Sequence, residues 1–202
     1  MKLYHCTGSR STRVLWMLEE LGVEYELETL PFDPKALQSA DYLELSPFGK
    51  VPVLIDDAVT MFESVAIIQY LLEHYADERL EPPRKSPEYG KFLQWMHFGE
   101  ATLMGPVAQV AMHSMLLPES ERQQAFVEAG QRSFRHYATS LEKALQGQTY
   151  IVDDTFTAAD VVIGYTLHVA RQCGLLSPEL ANLHAYYERL AARPAFKKAT
   201  AA

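Results

Sequence analysis

Apolar positions along this chain change their period about a third of the way through. Up to about residue 75 the two-residue alternation of strands is interleaved with the three-to-four-residue spacing of helices; beyond that only the helical spacing remains. Residues 3–6 read as a buried strand, 7–11 as a turn, and 14–21 as a helix closed by Gly22, since glycine readily takes the left-handed conformation that ends helices. Residues 25–29 alternate as a half-buried strand does, completing a βαβ unit. Residues 31–45 carry Pro34 and Asp41 as breakers and fit one short helix. Residues 51–55 and 59–62, joined by the turn Asp56-Asp57-Ala58, predict a hairpin, and residues 64–74 a further helix. The order expected for residues 1–76 is βαβ-α-ββα.

Residues 77–87, with Pro82-Pro83 and mixed charges, read as a linker, and residues 88–202 as an all-helical bundle. Ser86 can cap a helix with Pro87 at its first position, and the run to about residue 116 places Trp95, Phe98, Leu103 and Val107 at helical spacing. A long charged helix is expected from Pro118 to Gly147. In Phe156-Thr157-Ala158-Ala159-Asp160-Val161, Thr157 can cap, Asp160 can reach back as the third helical residue, and Phe156 can staple to Val161. The almost uncharged residues 162–173 that follow predict the hydrophobic centre of this domain. A last helix over 182–193 is expected to stop before Pro194, leaving a small-residue tail at 199–202.

A chain of 202 residues that is 48% hydrophobic can bury roughly 70% of its unfolded surface, enough for one large or two compact soluble domains. Its net charge of -8, with 18 basic residues scattered rather than clustered, repels phosphate backbones and acidic bilayers alike. Neither nucleic acid nor membrane is expected as a partner. The two cysteines, Cys6 and Cys173, make no disulfide framework and no CxxC or Cys/His metal spacing. No metal is therefore expected, and a reducing cytoplasm is the simplest location. The start runs into a strand without a charged-then-apolar leader, and no apolar stretch approaches the length of about 18 residues that marks a membrane span.

The densest chemistry lies between residues 50 and 71. Proline removes a ladder donor, so Val51-Pro52 predicts an edge strand. If that bond is cis, the Val51 amide and carbonyl are left to pair with an extended ligand backbone. Ser64 opens a helical run whose first amides and positive dipole end make a carboxylate site, and Glu63 beside it can hold an ammonium group. Ammonium, carboxylate and a short extended backbone together describe a gamma-glutamyl tripeptide. Each residue also has a plainer reading, Glu63 as a solvated turn carboxylate and Ser64 as an ordinary cap. Cys6-Thr7-Gly8-Ser9 has the spacing of a monothiol exchange site, but Cys6 falls inside the strand pattern, where a buried, inert thiol is the better reading.

Several segments resemble the cytosolic glutathione transferase family, and the resemblance covers nearly the whole chain. Ser46-Pro47-Phe48-Gly49-Lys50-Val51-Pro52 looks like the family's segment before its cis-proline, Glu63-Ser64-Val65-Ala66-Ile67 like its gamma-glutamyl motif, and Thr157-Ala158-Ala159-Asp160 like the capping box of its helical domain. Ser9 to Trp16, with Trp95-Met96-His97-Phe98-Gly99-Glu100, is similar to a bacterial and fungal theta/beta-like branch. The resemblance implies a thioredoxin-like first domain, an all-helical second domain, a homodimer, and glutathione as co-substrate. It also implies conjugation of the glutathione thiolate to hydrophobic electrophiles, with organic hydroperoxide reduction as the close variant. Ser9 occupies the position of the theta-like catalytic serine, Ser11 lies one step further into the turn, and Arg10 falls where beta-class members carry cysteine and can attract a thiolate. Either serine can instead simply cap the first helix. Lys50 and Lys35 can reach the glycyl carboxylate, His97 and Glu100 can line the substrate cleft, and Met104, Met112 and Met115 can form an acceptor pocket; surface or packing roles account for these residues equally. The rival from another class is a noncatalytic, transferase-like scaffold or regulatory binding protein.

Overall fold

In the computed structural model, which describes residues 1–202 apart from the Pro34 side chain, the change of hydrophobic period is a change of architecture. Contacts divide the chain into Met1–Leu80 with Ala192–Ala202, and Glu81–Ala191. In the first unit β1 (Lys2–His5) pairs parallel with β2 (Glu26–Thr29) through the crossover helix α1 (Ser11–Leu21). It also pairs antiparallel with β3 (Val53–Asp56), which continues through Asp57 into β4 (Val59–Phe62). The strand order is β2-β1-β3-β4, a mixed four-stranded sheet of thioredoxin type. Leu3 and His5 share the buried face of β1, and α1 and α4 (Ser64–Tyr75) pack on one another, with Leu15 and Leu18 of the first and Ile67, Ile68 and Leu71 of the second all essentially inaccessible.

Three expectations need correction here. The strand after Pro52 is not an edge: β3 is flanked by β1 and β4, and Val51-Pro52 precede its first paired residue, so the proline takes no donor from a ladder. Two short helices, α2 (Pro34–Leu37) and α3 (Ala40–Leu45), replace the one expected. The chain restarts at Ser39, whose hydroxyl accepts from the Tyr42 amide at 3.4 Å as an N-cap. The tail is helical: Pro194 opens α10 (Pro194–Ala201), a position where its missing amide costs nothing. This helix belongs with the first unit. Arg193 grips Glu20 through two contacts of 2.6 and 2.7 Å, Lys198 meets Glu19 at 2.7 Å, and Phe196 packs edge-on against Trp16 with centroids 4.8 Å apart.

The second unit opens with α5 (Pro87–His97) and α6 (Met104–Ala111), each extended by a π-helical segment, Phe98–Leu103 and Met112–Leu116. A π turn displaces a carbonyl from the ordinary ladder, and the Thr166 hydroxyl, bonded to both Gly99 and Val162 carbonyls at 3.1 Å, supports the first of them. The long helix α7 (Gln124–Ala144) begins later than Pro118, after a short 3-10 turn at Glu119–Glu121. Helix α8 (Ala158–Gln172) is buried on nearly every side and is the centre of the unit, with α9 (Ala181–Ala191) packed against it. No helix among the described residues is long and apolar enough to cross a membrane.

Gly130 shows how closely α6 and α7 pack. A Cβ there would lie 2.7 Å from Val110 Cγ2 and 2.9 Å from the Pro106 carbonyl oxygen. Replacing glycine by alanine inside a helix ordinarily gains about 1 kcal/mol of propensity. Here the close backbone oxygen outweighs that gain, and Gly130→Ala is expected to lose about 1–3 kcal/mol as an overpacked contact. A urea titration checks this: a midpoint equal to or above wild type would show that the two helices can separate freely.

Candidate active site

The pairings Tyr4 with Val53 and Val53 with Phe62 bring three chain ends to one end of the sheet: the exit of β1, the entry of β3 and the exit of β4. Two helices start there, α1 after Arg10 and α4 after Glu63. The residues singled out between positions 9 and 11, 50 and 52, and 63 and 64 are thus gathered by strand register from separated stretches of sequence.

The loop before β3 holds its backbone in place with its own side chains. Ser46 Oγ donates to the Lys50 carbonyl at 2.8 Å and accepts the Lys50 amide at 3.0 Å, and Tyr42 Oη donates to the same carbonyl at 2.9 Å. Gly49 sits at φ +58 with Gln38 and the Leu37 carbonyl so near that a Cβ would collide with both, so the turn requires glycine. The Val51-Pro52 bond is cis. Val51 itself makes no backbone hydrogen bond to any described residue, which leaves one donor and one acceptor unpaired.

At α4, the Ile67 amide is the first to find an intrahelical acceptor, the Glu63 carbonyl at 2.9 Å, so the amides of Ser64, Val65 and Ala66 are open. Ser64 is buried, and its hydroxyl makes no hydrogen bond to any described residue. Glu63, which precedes the helix, is exposed at φ +72, a conformation a non-glycine residue adopts only when its surroundings enforce it. Its carboxylate forms no ion pair among the described residues. An open helix N-terminus with a free hydroxyl suits a carboxylate; an exposed carboxylate one residue away suits a cation.

At α1 the three candidates differ. Ser11 is fully buried: its Oγ accepts the Cys6 amide at 3.1 Å and lies 2.6 Å from Ser9 Oγ, 2.8 Å from His5 Nδ1 and 3.3 Å from the Cys6 carbonyl. Ser9 is half-buried, and its Oγ accepts the Ser11 amide at 3.2 Å, so it does cap the start of the helix. It is the hydroxyl of this cluster that meets the surface. Arg10 is exposed between them. Cys6 is inaccessible, burial pushes its thiol pKa up, and among the described residues the thiol's one polar contact is a 3.8 Å approach to the Pro31 carbonyl. It is a packed residue, as its place in the strand pattern implied.

Lys50 and Lys35 are both exposed on the first unit, Lys35 on α2. His97, exposed at the end of α5, and Glu100, half-buried in the following π turn, belong to the second unit. The three methionines separate. Met104 is core, whereas Met112 and Met115 are exposed near Leu116 and Phe126, whose ring stacks on His113 at 4.7 Å. The residue that sequence reasoning missed is His5. Its signal was a titratable side chain in phase with Leu3 on the buried face of the strand that leads into the serine turn.

Residues 1–73 match the family model of the glutathione S-transferase N-terminal domain, and residues 103–194 that of the C-terminal domain. The chain belongs to the glutathione S-transferase family. Glutathione S-transferase 3 of Schizosaccharomyces pombe is 32% identical over 206 residues, spanning 96% of this chain and 84% of that protein. Glutathione S-transferase GstB of Escherichia coli is 30% identical over 190 residues, spanning 92% and 90%. A theta class glutathione S-transferase from Xanthomonas axonopodis pv. citri, solved with glutathione bound, superimposes with a TM-score of 0.89 at 28% identity, covering 100% of this chain and 97% of that one. The transferase fold thus extends over both units.

Proposed function

We propose that this transferase binds glutathione at the shared end of the sheet and ionises its thiol beside Ser9 for attack on a hydrophobic electrophile. The observation that carries the reading is the meeting, at one sheet end, of the unpaired Val51 backbone, the open Ser64 helix start and the surface hydroxyl of Ser9. Glutathione has one group for each: the backbone of its cysteinyl residue for Val51, the gamma-glutamyl carboxylate for the Ser64 helix with Glu63 on the ammonium, and the thiol for Ser9. The glutathione bound in the Xanthomonas structure supports the choice of ligand. Arg10, Lys50 and Lys35 supply positive charge around the thiolate and the glycyl carboxylate.

The acceptor is assigned to the second unit, where Met112, Met115, Leu116 and Phe126 expose apolar surface and His97 and Glu100 provide polar groups. Methionine side chains adapt to varied apolar shapes, which favours conjugation of diverse electrophiles; hydroperoxide reduction uses the same thiolate. Homodimerisation is the assembly proposed. Supporting it, the edge strand β4 exposes Val59 and Phe62, and Phe62 packs against the exposed Phe48 ring at 5.5 Å.

Calorimetric titration with glutathione tests the site. Ser64→Ala and Glu63→Gln are each expected to weaken binding by about 1–3 kcal/mol, the cost of leaving a polar ligand group unpaired. Unchanged affinity in both variants would place the ligand elsewhere. No heat with millimolar glutathione and the wild-type chain would favour a noncatalytic scaffold.

A further inference from the structure

The hydroxyl at the surface of the α1 cluster is backed by a short proton chain, Ser9 Oγ to Ser11 Oγ at 2.6 Å and Ser11 Oγ to His5 Nδ1 at 2.8 Å. Each serine has one proton and two lone pairs, so the orientation of one bond fixes the next. Ser11 Oγ already spends one lone pair on the Cys6 amide and Ser9 Oγ one on the Ser11 amide. If His5 carries its proton on Nε2, Ser11 donates to Nδ1 at 2.8 Å in preference to the Cys6 carbonyl at 3.3 Å, Ser9 donates to Ser11, and the Ser9 proton points inward. With the proton on Nδ1, His5 fills the second lone pair of Ser11. Ser11 then donates to Ser9 at 2.6 Å in preference to the Cys6 carbonyl at 3.3 Å, both Ser9 lone pairs are occupied, and the Ser9 proton turns outward.

We infer that His5 is a positioning residue that holds its proton on Nδ1 and thereby turns the Ser9 hydroxyl into an outward donor for the glutathione thiolate. The inference rests on the reading of Ser9 given above. The surroundings of the ring favour this tautomer. His5 is fully buried, and its Nε2 has no hydrogen-bond partner among the described residues, so a proton there would be an orphaned donor, whereas Nδ1 faces Ser11 at bonding distance. Burial is the larger influence and pushes the ring's pKa down, which keeps it neutral with a single proton to place, while the Ala202 backbone acts in the opposite sense. The orientation is also cooperative, since each donor in the chain strengthens the next. No covalent step is involved: His5 neither gains nor loses a proton as the thiolate binds.

Two measurements decide the matter. In the full chain labelled with 13C and 15N, ring nitrogen shifts and long-range proton couplings report the tautomer of each of the seven histidines, with His5 assigned in the wild-type chain by through-bond correlation of its ring to its own backbone. The expected result is a protonated Nδ1 and a bare Nε2; a protonated Nε2 overturns the inference, and this holds even if no His5 variant folds. The second measurement is the thiol pKa of bound glutathione from thiolate ultraviolet absorbance. His5→Asn, whose amide can place an N–H where Nδ1 stands, is expected to stay near wild type, while His5→Leu rises by roughly half a unit to one unit. A packing role predicts the reverse order, with leucine tolerated and asparagine not, and that order also overturns the inference. Ser9→Ala separates the two levels: if it leaves the bound thiol unchanged, the reading of Ser9 fails and this inference with it. A raised thiol pKa in Ser9→Ala combined with a protonated Nε2 removes the role of His5 alone.

Discussion

Ser9→Ala is expected to raise the pKa of the bound glutathione thiol by about one to two units. A hydrogen bond to a charged group contributes about 1.5–3 kcal/mol, and each pKa unit corresponds to about 1.4 kcal/mol of preference between protonation states. The sign follows from which form is favoured: a donor stabilises the thiolate, lowering the thiol pKa, and its removal lets the pKa return toward about 8.5. At neutral pH the thiolate fraction then falls roughly tenfold or more, and kcat/KM toward an aryl halide should fall with it. The half-buried Ser9 also accepts the Ser11 amide, so a modest loss of stability accompanies the change, about 1 kcal/mol as for other helix caps. Recovery of rate at high pH distinguishes the two effects, because a damaged fold is not repaired by deprotonating the thiol. A Ser9→Ala enzyme whose bound thiol titrates as in wild type would shift the activation to the backbone amides or to Arg10.

The second large effect is on stability. Asp160 is inaccessible, and its two carboxylate oxygens accept four bonds: the Thr157 amide at 2.7 Å, the Thr157 hydroxyl at 3.1 Å, the Ile151 amide at 3.2 Å and the Tyr186 hydroxyl at 2.7 Å. Burial pushes the carboxyl pKa up while these four donors pull it down. One side chain thus ties the start of α8 to the preceding loop and to α9. Asp160→Ala strands all four donors in a region without water access, a loss of about 3–5 kcal/mol by analogy with removing one partner of a buried charged network. For a chain of this size that lowers the melting temperature on the order of 10 °C. Asp160→Asn, which keeps one acceptor oxygen, should lie between. A melting temperature for Asp160→Ala within about 2 °C of wild type would mean that the network contributes little beyond geometry.

Much of this was legible in the chain because it is encoded locally. Gly22 marked the end of α1, Thr157 and Asp160 marked the start of α8, and the almost uncharged run after them marked the helix buried on nearly every side. The motif Glu63-Ser64 was readable for the same reason, since a helix start needs only its neighbours in sequence. The misreadings have a common cause. Proline disfavours ladders, so Pro52 points to an edge strand, yet it stands just outside the ladder while Val53 pairs on both sides. Pro194 points to a helix end when the residues before it are considered, although at a first helical position it is an initiator. Met104 and Met112 have the same chemistry and similar spacing, and only packing puts one in the core and the other at the surface.

What the sequence determined by itself was the alternation of strand and helix over the first eighty or so residues, the purely helical remainder, and the helix starts at Ser64 and Thr157. These follow from backbone propensity, hydrophobic period and capping, which act over a few residues. The tertiary structure alone decided that β3 lies inside the sheet, that α10 returns to α1 across 173 positions through Arg193 and Glu20, and that Ser11 is enclosed while Ser9 reaches the surface. Those outcomes depend on which apolar faces cover one another and on which buried polar atoms find partners. Such long-range complementarity has no signature in any single stretch of chain.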